Sequence, residues 1–128
     1  MRTIVAILFM TFANQASARD INVGSLLICK SMDAMRVWSY NDFFQKEGQQ
    51  KFVVKVGQDT LYLTAQEGYL IGETTLKKEY HQSYFITGYD TSANLSIERK
   101  DKKFRFHYSS TMSMSMFTMF GYCMSVSG

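Results

Sequence analysis

The stretch KFVVKVGQDTLYLTA, residues 51–65, carries an apolar side chain on every second position on either side of a short polar break. That period of two belongs to an extended strand with one buried face, and two such runs this close together have to pair. Phe52, Val54 and Val56 share a face, as do Leu61, Leu63 and Ala65. A tight loop around Gln58-Asp59 sets Val56 opposite Leu61 and Val54 opposite Leu63, and leaves Lys55 and Tyr62 on the other side. A second hairpin follows in LSIERKDKKFRF, residues 95–106. A turn centred on Lys100-Asp101 sets Ile97 against Phe104 and Leu95 against Phe106, and brings Glu98 to Lys103 as an opposite-charge pair. Each register keeps one apolar and one polar face, the property that fixes strand pairing.

Further strands are expected at 22–30, 69–75, 83–89 and 112–124, with a turn at Glu67-Gly68. The chain has no proline, no linker composition and no internal repeat, so it reads as one domain. Residues 32–47, MDAMRVWSYNDFFQKE, fit neither period. A short helix near residues 33–46, capped by Asp33, competes there with strand and loop. In either case Trp38 is expected as a core anchor. The fold class is therefore all-β: a small antiparallel barrel or sandwich of seven to eight strands.

The first eighteen residues have the layout of a secretory signal: a basic start at Arg2, an apolar run from Ile4 to Ala13, and Ala16-Ser17-Ala18 as the cleavage pattern. The run is half the roughly 20 residues a spanning helix needs, and no other stretch is apolar enough to span. The expected organisation is a signal peptide over 1–18 and a single β domain over 19–128, secreted or periplasmic. Taking Arg2 from the 14 basic residues leaves 13 against 11 acidic, a net charge of +2. That is too small to point to nucleic acid or an acidic membrane. Cys29 and Cys123 are the two cysteines, and secretion puts them where a disulfide persists. The bridge closes a loop of about 94 residues, worth roughly 4.7 kcal/mol in the chain-entropy model, and ties the first strand to the last.

TMSMSMFTMFGYC, residues 111–123, holds Met112, Met114, Met116 and Met119. In one unbroken strand Met112, Met114 and Met116 point one way and Cys123 the other. A bulge at Gly121 would flip the register and put Met112, Met114, Met116, Phe120 and Cys123 together in the core. The alternative is a soft-metal site for Cu(I) or Ag(I) built from Met112, Met114, Met116 and His107, which requires an outward methionine face. No acidic second shell or HxxxH accompanies it, and no cofactor is expected.

Catalytic signals are thin. His81 and His107 lie in no catalytic motif, and there is no GxSxG or glycine-rich phosphate loop. The expectation is a protein without enzymatic activity. Asn94-Leu95-Ser96 matches a glycosylation sequon, relevant only in a eukaryotic secretory route.

Cys29, Trp38 with Phe43 and Phe44, FVVKV at 52–56, LSI at 95–97, FRF at 104–106 and GYC at 121–123 together resemble a set of small secreted disulfide-bonded β proteins of bacteria and their phages. The resemblance implies a disulfide-closed β fold in the periplasm or outside the cell, and no particular activity. Periplasmic lysozyme inhibitors offer a fold-level analogy in size and compartment, but their S-G-x-x-Y type motif has no counterpart here. The functional expectation is a binding protein, inhibitor-like in manner, whose partner is another envelope or extracellular protein. Its exposed loops would be 76–82, LKKEYHQ, and 89–93.

Overall fold

The computed structural model describes residues 20–38, 43–65, 72–112 and 115–127, the side chains of Phe43, Met112 and Ser127 excepted. Nine strands run through them: β1 (Leu26–Trp38), β2 (Phe43–Lys46), β3 (Lys51–Val56), β4 (Thr60–Thr64), β5 (Thr74–Gln82), β6 (Phe85–Tyr89), β7 (Ala93–Lys100), β8 (Lys103–Met112) and β9 (Ser115–Ser127). From β3 to β9 each strand pairs antiparallel with the next, and β9 returns to pair with β1, which closes an eight-stranded barrel. Closure leaves no long unpaired edge in the wall. β2 is the extra strand. It pairs with the second half of β1, whose first half pairs with β3.

The interior follows from alternation. Leu27, Cys29, Phe52, Val54, Leu61, Leu63, Leu76, Ile86, Leu95, Ile97, Phe104 and Phe106 are all buried. A barrel of eight strands is just wide enough for such side chains to fill it. Phe52 and Phe106 meet edge to face with centroids 5.0 Å apart. Cys29 and Cys123 form a disulfide between directly opposed residues of β1 and β9, so the bridge joins the two strands that close the barrel.

The β3–β4 hairpin has the expected register, Val56 opposite Leu61 and Val54 opposite Leu63. In the β7–β8 hairpin the turn falls on Asp101-Lys102, one residue later than expected. Ile97 therefore faces Phe106 and Leu95 faces Tyr108, and Glu98 meets Arg105 at 2.6 Å instead of Lys103. Asp101 has φ +59°, a left-handed conformation that Asp tolerates better than most residues. A slip of two residues keeps every side chain on its expected face.

Three expectations are corrected. The helix near 33–46 is absent among the described residues, because β1 continues to Trp38 and Phe43–Lys46 is β2. The alternation of β1 is broken by a bulge at Met32: Ser31 pairs with Gly121 and Asp33 with Phe120. One extra residue resets which positions face inward, so the segment matched neither period. The expected strand at 112–124 is two strands, since Met112 ends β8 and pairs with Ser115 at the start of β9. The segment 76–82 is not a loop but most of β5. Residues 66–71, where the Glu67-Gly68 turn and part of the 69–75 strand are expected, lie outside the described residues, as does the expected signal peptide at 1–18.

One end of the barrel is plugged by the segment that precedes β1. Ile21 is buried there, its amide donates to Ser83 O at 2.8 Å, and Gly24, at φ +96°, donates to Val56 O. His81 Nε2 lies 2.7 Å from Ile21 O, so that nitrogen carries the proton. Nδ1 is then the acceptor for Lys78 Nζ at 3.0 Å, and Nζ also donates to Gly57 O at 2.9 Å.

Candidate binding surface

The direction of β9 decides the outer surface. Phe117, Met119, Gly121, Cys123 and Ser125 face inward, and the register against β8 is continuous from Ser115 to Cys123. The bulge expected at Gly121 lies instead on the facing strand, at Met32. Glycine serves a different need: a Cβ at position 121 would collide with Lys30 O and stand 2.7 Å from Ser31 Cα. β1 and β9 approach too closely there for any side chain.

This parity puts the even residues of β9 outside. Met116 is 51% exposed and Phe120 46%, which overturns their expected burial. Met114 and the side chain of Met112 lie outside the described residues. His107 shares the outer side, but it stands opposite Phe120 while Met116 stands opposite Thr111. Two rungs, about 13 Å of strand, separate them. Thr118 occupies the rung between, with its Oγ1 3.3 Å from His107 Nε2. Among the described residues no three His, Cys, Asp or Glu side chains cluster in a way that would hold a metal ion.

The outer side of a small barrel normally alternates to polar residues. β9 does not. Met116, Phe120, Tyr122, Met124 and Val126 are all exposed, and only Thr118 is polar among the described outward positions. The neighbouring strand continues the patch: Ile28 pairs with Met124, and the bulged Met32 is 67% exposed. Basic residues border it. Lys30 is flanked by Tyr122 on β9 and Lys51 on β3, Arg105 lies beyond Tyr122, and Lys103 lies beyond Met124 at the start of β8. A groove of about 450 Å³ runs between the bulge and the β7–β8 turn, floored by Ile28, Met32, Tyr122 and Met124 and edged by Lys30, Lys102 and Lys103. The Lys103 ammonium lies 5.3 Å from the Tyr122 ring centroid. An ammonium over an aromatic face is attracted by the ring quadrupole. Arg105 is held by Glu98, so among the described residues the uncompensated positive charge is that of the lysines.

The two expected binding loops fare differently. Within 76–82, Leu76 is core, Tyr80 is exposed, and Lys78 and His81 hold the plug. Within 89–93, Asp90-Thr91-Ser92 do form the β6–β7 turn. Asp90 Oδ1 accepts from Ser92 N and Ala93 N, both at 2.7 Å, which fixes that turn. Nearby, the Tyr108 hydroxyl has its pKa raised, first by burial and also by the Asp90 carboxylate, against a smaller lowering by its hydrogen bond with Ser110. Among the described residues neither His81 nor His107 makes a hydrogen bond or ion pair with a carboxylate.

Sequence reasoning missed the outer patch because it sent the methionines inward. The signal was present. A buried Cys123 in an unbroken strand puts Met116, Phe120, Tyr122 and Met124 on the opposite side.

Among the described residues no helix is long and apolar enough to cross a membrane. No family model, no curated protein and no solved structure matches the chain.

Proposed function

We propose that this chain is a secreted or periplasmic binding protein without enzymatic activity, and that it docks through the outer face of β1 and β9 onto another envelope or extracellular protein. The observation that carries this reading is the contiguous exposed apolar strip of Ile28, Met32, Tyr122, Met124 and Phe120 beside the lysines of β1, β3 and β8. Exposed apolar patches rimmed by polar groups mark interaction sites. Aromatic residues and methionine are the side chains such interfaces favour. Charge complementarity sets the partner's character: an apolar ridge bordered by carboxylates, facing Lys30, Lys51, Lys102 and Lys103. The leader pattern and the disulfide support an oxidising compartment. The soft-metal reading is weaker, since Met116 and His107 stand two rungs apart.

The test is zero-length carbodiimide cross-linking in the native compartment, read by peptide mass spectrometry. Cross-links from Lys30, Lys102 or Lys103 to the Asp and Glu residues of one protein are expected. They should vanish in Met124→Glu while the barrel stays folded. Cross-links that survive Met124→Glu, or that fall only on lysines of the opposite wall, would sink the proposal.

A further inference from the structure

Four strands change character toward the end of the barrel opposite the plug. Inward positions of β1 read Leu27 and Cys29, then Ala34 and Arg36 after the bulge. Those of β8 read Phe104 and Phe106, then Tyr108 and Ser110. On β9, Cys123 and Met119 give way to Phe117 and Ser115, and on β7, Ile97 and Leu95 give way to Ala93 and the β6–β7 turn. A barrel filled for stability alone would stay apolar or end at its core. Among the described residues this one forms instead a polar cup of about 360 Å³, lined among others by Arg36, Glu73, Asp90, Tyr108, Thr111 and Phe117.

Arg36 is the unusual member. Its inward guanidinium lies 5.6 Å from the Trp38 ring centroid, and its Nε is 3.9 Å from a Glu47 carboxylate oxygen, beyond hydrogen-bond range. That Nε is buried and has no hydrogen-bond partner. Buried donors in folded proteins are almost always satisfied; the acceptor nearest this one is Glu47, and Arg36 itself stands in the wall of the cup. Below the rim, Tyr108 and Phe117 form an aromatic floor, with centroids 6.3 Å apart.

We propose that this cup binds the uncharged, polyhydroxylated end of a glycan, a single hexose-sized ring at a time. The lining selects this chemistry by elimination. A ligand anion would be repelled by Glu73 and Asp90, and a ligand cation would offer no acceptor to the Arg36 guanidinium. An apolar ligand would strip water from the hydroxyls of Ser110, Thr111 and Thr74 without replacing their hydrogen bonds. Sugar hydroxyls both donate and accept, so they answer the guanidinium, the carboxylates and the hydroxyls together. The apolar C–H face of a pyranose suits the aromatic floor. The volume lies within the range of small-molecule sites. The proposal is independent of the outer β1–β9 face.

The test is saturation-transfer NMR on the full mature chain with glucose, galactose, mannose and N-acetylglucosamine, each alone, and with citrate and spermidine as charged competitors. At least one sugar should show transfer. Its apparent affinity should fall at least tenfold in both Glu73→Ala, at an exposed position that leaves the fold intact, and Arg36→Met, and should be unchanged in Met124→Glu. No transfer from any sugar would overturn the proposal. So would transfer untouched by the two cup variants, or displacement of the sugar by citrate or spermidine at equal concentration.

Discussion

The two ends of this barrel are built from the same strands and have opposite characters. At the closed end the inward residues are Leu27, Val56, Leu61, Ile97 and Phe104, all buried, and Ile21 lies across them under a network of backbone and histidine hydrogen bonds. At the open end the inward residues are Arg36, Ser110 and Ser115, with Glu47 beside them. The closed half can supply the folding free energy, because burial of apolar area is the dominant favourable term. The open half adds the buried Phe117 and Tyr108, but it also places Arg36 and Ser110 where they can meet solvent or a ligand. The difference teaches that stability and recognition are divided along the barrel axis, and that substitutions should sort by half.

The largest effect belongs to the strand pair that closes the barrel. Cys29→Ala with Cys123→Ala should lower stability to urea by about 4 kcal/mol, close to the chain-entropy value for so long a loop. A loss under about 1 kcal/mol would show that β1 and β9 hold the barrel shut without the bridge. Next comes Gly121→Ala. Backbone atoms of Lys30 and Ser31 occupy the space a methyl group needs, so the strands must part. About 3 kcal/mol is expected, at the upper end for overpacking. A tolerated alanine would mean that β1 can shift at its bulge.

These two predictions rest on residues that differ in how far the sequence revealed them. The pairing of Cys29 with Cys123 follows from their count and the expected compartment. The fold class follows from the period-two alternation, and the β3–β4 register was readable because both strands alternate strictly around a short polar turn. The β7–β8 faces were readable too, although the turn lies one residue later, since a two-residue slip conserves faces. The bulge at Met32 was not. It depends on how β1 fits against β9 over its whole length, and a chain alone does not carry that long-range match. β9 was misread for a further reason. It is apolar on both sides, so its pattern specifies orientation weakly. The outer patch was therefore hidden by the property that makes it a candidate interface. The open cup was hidden likewise, because the inward position of Arg36 follows from the bulge.

Smaller effects sharpen the contrast between the ends. His81→Ala removes the donor to Ile21 O and the acceptor for Lys78. A loss of about 1.5 kcal/mol is expected. Hydrogen exchange should locate it: the Ile21 amide, which donates to Ser83, should exchange faster, while Val54 in the core stays protected. Equal acceleration at both sites would show that the plug and the core unfold as one unit.

Tyr108 marks the boundary between the halves, and its substitution should have the smallest effect at neutral pH. Tyr108→Phe keeps the ring over Phe117 and gives up the hydrogen bond with Ser110. A cost of up to about 1 kcal/mol at pH 7 is expected. The alkaline limb is the sharper measurement. Burial and the Asp90 carboxylate hold the folded-state hydroxyl above its ordinary value near 10, so the unfolded chain releases this proton first. Where the unfolded state binds fewer protons than the folded one, stability falls as pH rises. The contribution from Tyr108 is thus fully present below pH 10 and is lost as pH climbs from there toward the folded-state value. Urea midpoints of the two proteins should converge across that range, because the variant has no hydroxyl to ionise. Midpoints that stay parallel above pH 10 would mean that Tyr108 ionises as freely in the fold as out of it, and that the polar half begins one rung deeper in the barrel.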